Sequence, residues 1–286
     1  KTESEKFAGA HSTFSIEALM RDGKALQAGT SHNLAQNFAK AFDTKFTTEE
    51  NQQDFVYQTS WGVSTRLVGA LIMGHHDEVG LILPPKVAPY QVVIVPILKK
   101  NQDNSAVLDE AQKIIEELKA QGISYKLDAR DKISQGIKFA EYEQKGVPLR
   151  LVLGERDLAN GLVEVHRRDI RTKDKEVKRE GLAEYLKSLL EMIQKDLLQR
   201  ALDFRDDHTQ TAQSLEDLDE ILNKKTGFAR AMWNGDVELE KILKEKFKAS
   251  IRCIPDHPEL DPKQVPCILS GDVSEQNKEI LIAKAY

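Results

Sequence analysis

The residues with the most chemical content lie together in the run Thr59-Ser60-Trp61-Gly62-Val63-Ser64-Thr65-Arg66. Beyond it, Leu67, Ala70, Leu71 and Met73 fall on one side of a helix that begins near Ser64 or Thr65, either of which could cap it. Arg66 therefore stands in a first helical turn, where a cation opposes the helix dipole by a few tenths of a kcal/mol. A bound anion reverses that sign, because backbone N–H groups and a guanidinium together make a phosphate site. The alternative is an arginine directed to solvent. Phe7 and Trp61 are either walls for a small apolar ligand or ordinary core aromatics, and His32 is either a donor to a carboxylate or a satisfied structural histidine. His75-His76-Asp77 has metal-ligating types, but neighbouring histidines point to different sides of a helix and make poor co-ligands. No nucleophile triad or acid/base pair stands out.

These residues need elements to hold them. Residues 14–20 and 54–60 read as strands, and Gly80 with Pro84-Pro85 closes the first segment. From Gln91 the pattern becomes strand and helix in alternation. Residues 91–98 form a β-branched run suited to a strand buried on both faces, and Leu108, Ala111, Ile114, Ile115 and Leu118 form a helical stripe ended by Gly122. Strands over 123–127, 149–153 and 162–165, a helix over 133–142 and a long amphipathic helix over 178–198 complete an α/β domain with a mostly parallel or mixed sheet. The polar stretch 205–214 leads to two helices, 215–223 and 237–247, and short strands around Ile251, Ile268 and Ile282, a small α+β domain. The expected division is 1–88, 89–204 and 205–286.

With 286 residues, 40% hydrophobic and 30% charged, the chain is long and apolar enough for two or three domains rather than a disordered tail. No apolar run approaches the roughly 20 residues that span a bilayer. Two cysteines, Cys253 and Cys267, fit a reducing compartment, so a soluble cytoplasmic protein without membrane partners is expected. The net charge of −5 supplies no bulk field for nucleic acid, so any RNA binding must come from local basic patches. The chain opens on Lys1, which points to a fragment, a processed product or a trimmed chain.

The run from Trp61 to Arg66, followed by Leu67-Val68-Gly69-Ala70-Leu71-Ile72-Met73 and then Gly80-Leu81-Ile82-Leu83-Pro84-Pro85, resembles motif 3 of class II aminoacyl-tRNA synthetases in its prolyl form. Lys6-Phe7-Ala8-Gly9 and Gln27-Ala28-Gly29-Thr30-Ser31-His32-Asn33-Leu34-Ala35-Gln36-Asn37-Phe38 also match prolyl-tRNA synthetases of the archaeal/eukaryotic architecture. The resemblance continues more weakly to the final Ala283-Lys284-Ala285-Tyr286. It implies that residues 1–88 close a class II antiparallel-sheet catalytic domain, that 89–204 bind the anticodon and that 205–286 are the family's C-terminal domain.

Carried over by position, the resemblance places Gln27, Thr30 and Arg66 at ATP, and Phe7, His32, Ser60, Trp61 and Gly62 around proline. It implies tRNA contacts from Arg150, His166, Arg167 and Arg168, with Arg171, Lys173, Lys175, Lys178 and Arg179 continuing the basic segment; a solvated charged loop is the alternative. Tyr286 is expected to reach back toward the surface carrying Trp61 and His32. His76 stands where the family usually has Gly, and Val152 where some relatives carry a carboxylate. Many relatives hold zinc through four cysteines; with only Cys253 and Cys267 here, and nothing in the spacing of Asp256 and His257 that demands a metal, no zinc is expected.

The implied activity is proline–tRNA ligation with ATP and Mg2+, the parent enzyme being a homodimer acting on proline, ATP and tRNA(Pro). The chemistry needs no protein nucleophile, since the amino-acid carboxylate attacks the α-phosphate and the protein aligns and neutralises. Motifs 1 and 2 of the class are not in the chain, so it is expected to be inactive alone. A non-enzymatic tRNA-binding or regulatory relative is the rival expectation.

Overall fold

A computed structural model describes residues 1–286, and their contacts divide the chain into two units: Lys1–Gly74 with Asp203–Tyr286, and His75–Leu202. In the first, β1 (Ser12–Leu19) and β2 (Ala25–Ala35) form an antiparallel hairpin. Its turn requires Gly23: φ is +78°, and a Cβ there would lie 2.3 Å from the Thr226 hydroxyl. After α1 (Asn37–Ala41), the ribbon of β3 (Lys45–Thr47) and β4 (Gln53–Phe55) precedes β5 (Gln58–Gly62), which joins β2 to give the sheet order β1-β2-β5. The strand expected over 54–60 is thus two strands in different sheets, broken at Val56-Tyr57. Helix α2 (Arg66–Gly74) follows, with the Ser64 hydroxyl accepting from the Arg66 N–H at 3.3 Å.

The second unit is the alternating α/β segment: β6 (Val92–Pro96), α3 (Ser105–Ala120), β7 (Tyr125–Leu127), α4 (Gln135–Gln144), β8 (Leu149–Leu153), α5 (Glu155–Ala159), β9 (Leu162–Arg167), β10 (Thr172–Lys178) and α6 (Leu182–Asp207), whose last residues belong to the other unit. The strand order is β10-β9-β8-β6-β7, with β6 parallel to β7 and β8, and β9 and β10 antiparallel additions. Every residue of β6 and β8 is buried, which is why their sequences do not alternate. Val92, Ile94, Leu149 and Leu151 pack with α3 and α6, whereas Val93 and Val95 pack with Tyr142 and Phe139 of α4 on the opposite face. In α3 the inward stripe takes Val107 and leaves Leu108 outside.

Polar groups penetrate this unit and are paired there. The Arg168 side chain, 1% exposed, forks onto both oxygens of Asp77 at 2.6 and 2.7 Å and also donates to the carbonyls of Glu143 and Gly80. Asp77 additionally accepts the N–H groups of Val79 and Gly80, and the Arg168 hydrogen bonds hold its carboxyl well below the usual carboxylate range. His166 is equally buried; burial first, and then the charges of Arg150, Lys173, Arg168 and Arg171, push its imidazole down to about 4.

The rest of the first unit comprises β11 (Thr209–Thr211), α7 (Leu215–Asp219), β12 (Phe228–Trp233), α8 (Val237–Ile242), β13 (Ser250–Cys253) and β14 (Lys278–Ala283), in the order β11-β12-β14-β13. Both helices widen into a π-turn, Glu220–Lys225 and Leu243–Phe247, and each turn is followed by a residue of positive φ, Thr226 and Lys248. Ser214 and Asp217 form a capping box on α7. Strand β12 was not expected, and residue 268 lies in a turn rather than a strand. Leu218, Leu222, Leu239, Leu243, Phe247, Ile251, Ile280 and Ile282 supply the core.

This segment is fastened to the hairpin within the same unit. The Ala25 N–H donates to the Lys284 carbonyl at 2.7 Å, and Ala25, Phe228 and Ala283 share a small buried cluster. Arg252 of β13 donates twice to Glu17 of β1, and the Glu17 side chain is 4% exposed.

Removing one partner of a buried ion pair strands the other charge, so Arg168→Ala should destabilise the protein by about 3–5 kcal/mol, read from the denaturation midpoint and slope in urea. The His166 shift has a defined sign. Its folded value lies below the unfolded 6.5, so the unfolded chain binds the extra proton between those values, and stability falls as pH drops from about 6.5 to about 4. His166→Phe should flatten that part of a urea-midpoint profile, and an equally steep profile in the variant would remove His166 as its source.

Candidate functional site

Strand pleat decides which of the candidate residues can act together. In the sheet β1-β2-β5, Thr13 is opposite His32 and His32 is opposite Ser60, while Thr30 is opposite Gly62. Residues directly opposite one another share a face, so Thr13, His32, Ser60, Thr30 and Gly62 lie together. Gln27 would be out of phase with Thr30, three positions on. However, the register shifts between Ile16 and Glu17, which gives β2 one additional residue, Ala28, and brings Gln27 to the face of Thr30. Phe7 closes over the same face, its ring 4.8 Å from that of His32 and stacked in turn on Phe38 at 6.1 Å.

Trp61 is not in that group. It lies opposite Ser31, which lies opposite Phe14, so Trp61 and Phe14 share the other face. With Ile16 and Val63 they line a cleft of about 620 Å3 that also takes in Ser15, Gly29, Ser31 and Asp256, and that Thr30 and Gly62 border as well. Trp61 is 77% exposed and Ile16 69%. Tyr286 is likewise apart from His32. Its hydroxyl bonds Asp22 and its N–H donates to the Ala25 carbonyl, at the turn of the hairpin, whereas His32 lies seven residues along β2 from Ala25, about 20 Å at the rise of a strand.

Arg66 is the first residue of α2 and is exposed, four residues beyond Gly62 at the end of β5. The Thr13 hydroxyl accepts the Phe7 N–H at 3.1 Å and meets His32 Nδ1 at 3.0 Å. Nothing in the sequence pattern singles out Thr13; only its pairing with His32 does.

The basic residues of the α/β unit are placed differently from one another. Arg167 is bound by Asp169 and Asp196, Arg168 by Asp77, and the His166 ring is 3.4 Å from Glu143. Arg150, 3% exposed, lies over the Phe139 ring at 4.0 Å, and its Nε makes no hydrogen bond. Residues 172–178, part of the charged segment, form the edge strand β10, on which Lys173 and Lys175 are exposed. Cys253 is half-buried and Cys267 buried, and no group of three His, Cys, Asp or Glu side chains could hold a metal ion. No helix is long and apolar enough to cross a membrane.

Residues 91–189 match the family described as "Anticodon binding domain", and residues 215–286 match "Prolyl-tRNA synthetase, C-terminal". Along its whole length the chain is 50% identical to a proline–tRNA ligase of Porphyromonas gingivalis, and 49% and 50% identical to those of Christiangramia forsetii and Cytophaga hutchinsonii. In each case it spans 57% of the relative's own length. With two successive domain matches and similarity that continues through the strands carrying His32 and Trp61, the chain belongs to the prolyl-tRNA synthetase family, of which it carries the anticodon-binding and C-terminal domains.

Proposed function

We propose that this chain acts within a proline–tRNA ligase that activates proline with ATP and transfers it to tRNA(Pro). The observation that carries the proposal is the gathering of Gln27, Thr30, His32, Ser60 and Gly62 on one face of the sheet, with Arg66 at the helix start that follows. Residues 1–88 then complete a class II catalytic domain, 89–204 read the anticodon, 205–286 form the C-terminal domain, and the whole enzyme is a cytoplasmic homodimer.

On this proposal the His32 imidazole donates to the proline carboxylate, while Phe7 supplies an apolar wall for the pyrrolidine ring. Gln27 and Thr30 hold the nucleotide. A carboxylate oxygen of proline attacks the α-phosphorus, a bond forms there and pyrophosphate leaves. Arg66 and the N–H groups at the start of α2 neutralise charge on the phosphates without giving up a proton. Magnesium, which neutralises the same phosphates, is typically held by one or two carboxylates with substrate oxygens, and the site offers no all-protein cage for it.

For RNA, the exposed Lys173 and Lys175 of β10 contact phosphates, and Arg150, buried over the Phe139 ring, adds positive charge beneath that surface. Arg167 and Arg168, whose side chains are committed to carboxylates, and the buried His166 support that surface from within.

In the full-length enzyme, Arg66→Ala should lower kcat/KM in proline-dependent ATP:pyrophosphate exchange by about 2–4 kcal/mol in transition-state terms, roughly 30- to 1000-fold. A loss below tenfold would remove Arg66 from the phosphate site. Lys173→Gln with Lys175→Gln should weaken tRNA binding and reduce the slope of log K against log salt by about one to two, with exchange unaffected. An unchanged slope would leave these lysines as protection of an edge strand.

A further inference from the structure

We infer that Thr13 is the positioning residue that fixes the tautomer of His32, so that the imidazole presents Nε2–H, a donor, to its ligand. The inference rests on the proposed proline site for the ligand's identity, but its geometry is independent of it. Thr13 lies directly across from His32 in the hairpin, and its own residue is 6% exposed. The hydroxyl has one proton and already accepts the Phe7 N–H at 3.1 Å. With one lone pair taken by Phe7, the hydroxyl still has its proton and a second lone pair, and the direction we assign is donation to His32 Nδ1, 3.0 Å away, which makes that nitrogen the acceptor. A neutral imidazole that accepts at Nδ1 carries its proton on Nε2. The Phe7 ring, tilted by 38° against the imidazole, restricts the rotation that would exchange the two nitrogens. One buried hydroxyl thus ties together the Phe7 backbone and the His32 ring, the two groups assigned to opposite ends of proline, its ring and its carboxylate.

The chain itself tests the contact. With 15N-histidine labelling, and the His32→Asn variant to assign the signals, His32 should show a protonated Nε2 and an Nδ1 resonance displaced from that of a free unprotonated ring nitrogen by an accepted hydrogen bond. Thr13→Val, nearly isosteric but without the hydroxyl, should abolish that displacement, and Thr13→Ser should keep it. A protonated Nδ1 in the wild-type chain, or identical nitrogen shifts in Thr13→Val, would overturn the inference. Should Thr13→Val not fold, the wild-type tautomer and Thr13→Ser decide the matter alone. In the full-length enzyme, Thr13→Val should raise the KM for proline about tenfold with a smaller change in kcat, the size expected when a hydrogen bond to a charged group loses its alignment, and Thr13→Ser should restore it. An unchanged proline KM in Thr13→Val together with a raised one in His32→Asn would refute the positioning role. An unchanged proline KM in His32→Asn would instead refute the proline site while leaving the tautomer result intact.

Discussion

The two-residue period of a β-strand governs everything the candidate site can do. Adjacent residues of β5 point to opposite sides of a three-stranded sheet, so Ser60 and Gly62 face the side of His32 and Trp61 faces the side of Phe14. The bulge at Ala28 departs from that period and brings Gln27 round to the face of Thr30, and a second register shift, between Asn33 and Ala35, lies at the other end of β2. Motif continuity in the chain therefore does not mean continuity in space. The contiguous run Ser60-Trp61-Gly62, exposed throughout, is divided between the face of His32 and the face of Phe14.

Different forces stabilise the frame and set its geometry. Burial of aliphatic side chains against α3 and α6 in one unit, and around Phe247, Ile251, Ile280 and Ile282 in the other, supplies the driving force, each such side chain contributing about 1.5–3 kcal/mol. Buried ion pairs add little net energy, because desolvation offsets most of the attraction. Their role is to choose partners: Arg168 donates to both oxygens of one carboxylate and to two nearby carbonyls, and so fixes the segment around Asp77; Arg252 with Glu17 does the same for β13 and β1. Both join residues distant in the chain but within one unit, 91 and 235 positions apart.

The parts legible in the sequence were those in which one simple pattern dominates. The all-buried β6 and β8 and the stripe of α3 could be read from apolar periodicity, although Val107 rather than Leu108 faces the core. Strand β10 could not, because five of its seven residues, Lys173, Asp174, Lys175, Glu176 and Lys178, are charged, as suits an exposed edge. Residues 54–60 alternate well enough to resemble one strand; only the ribbon with β3 shows that Val56 and Tyr57 separate two. Basic composition says nothing of pairing. Arg167 and Arg168 look like an RNA-facing pair, but their partners Asp169, Asp196 and Asp77 become visible only once the chain is folded. Thr13 carries no local signal at all; its significance is the strand opposite.

On the proposed function, proline and the nucleotide occupy the face of the sheet that carries His32 rather than stacking on Trp61. A crystal structure of the full-length enzyme with a non-hydrolysable prolyl-adenylate analogue tests it most directly. The analogue's carboxyl-derived oxygen should lie within hydrogen-bond distance of His32 Nε2 and its phosphate-equivalent group at Arg66, with no contact to the Trp61 ring. An analogue stacked on Trp61 in the cleft with Phe14 and Ile16, with His32 untouched, would contradict it.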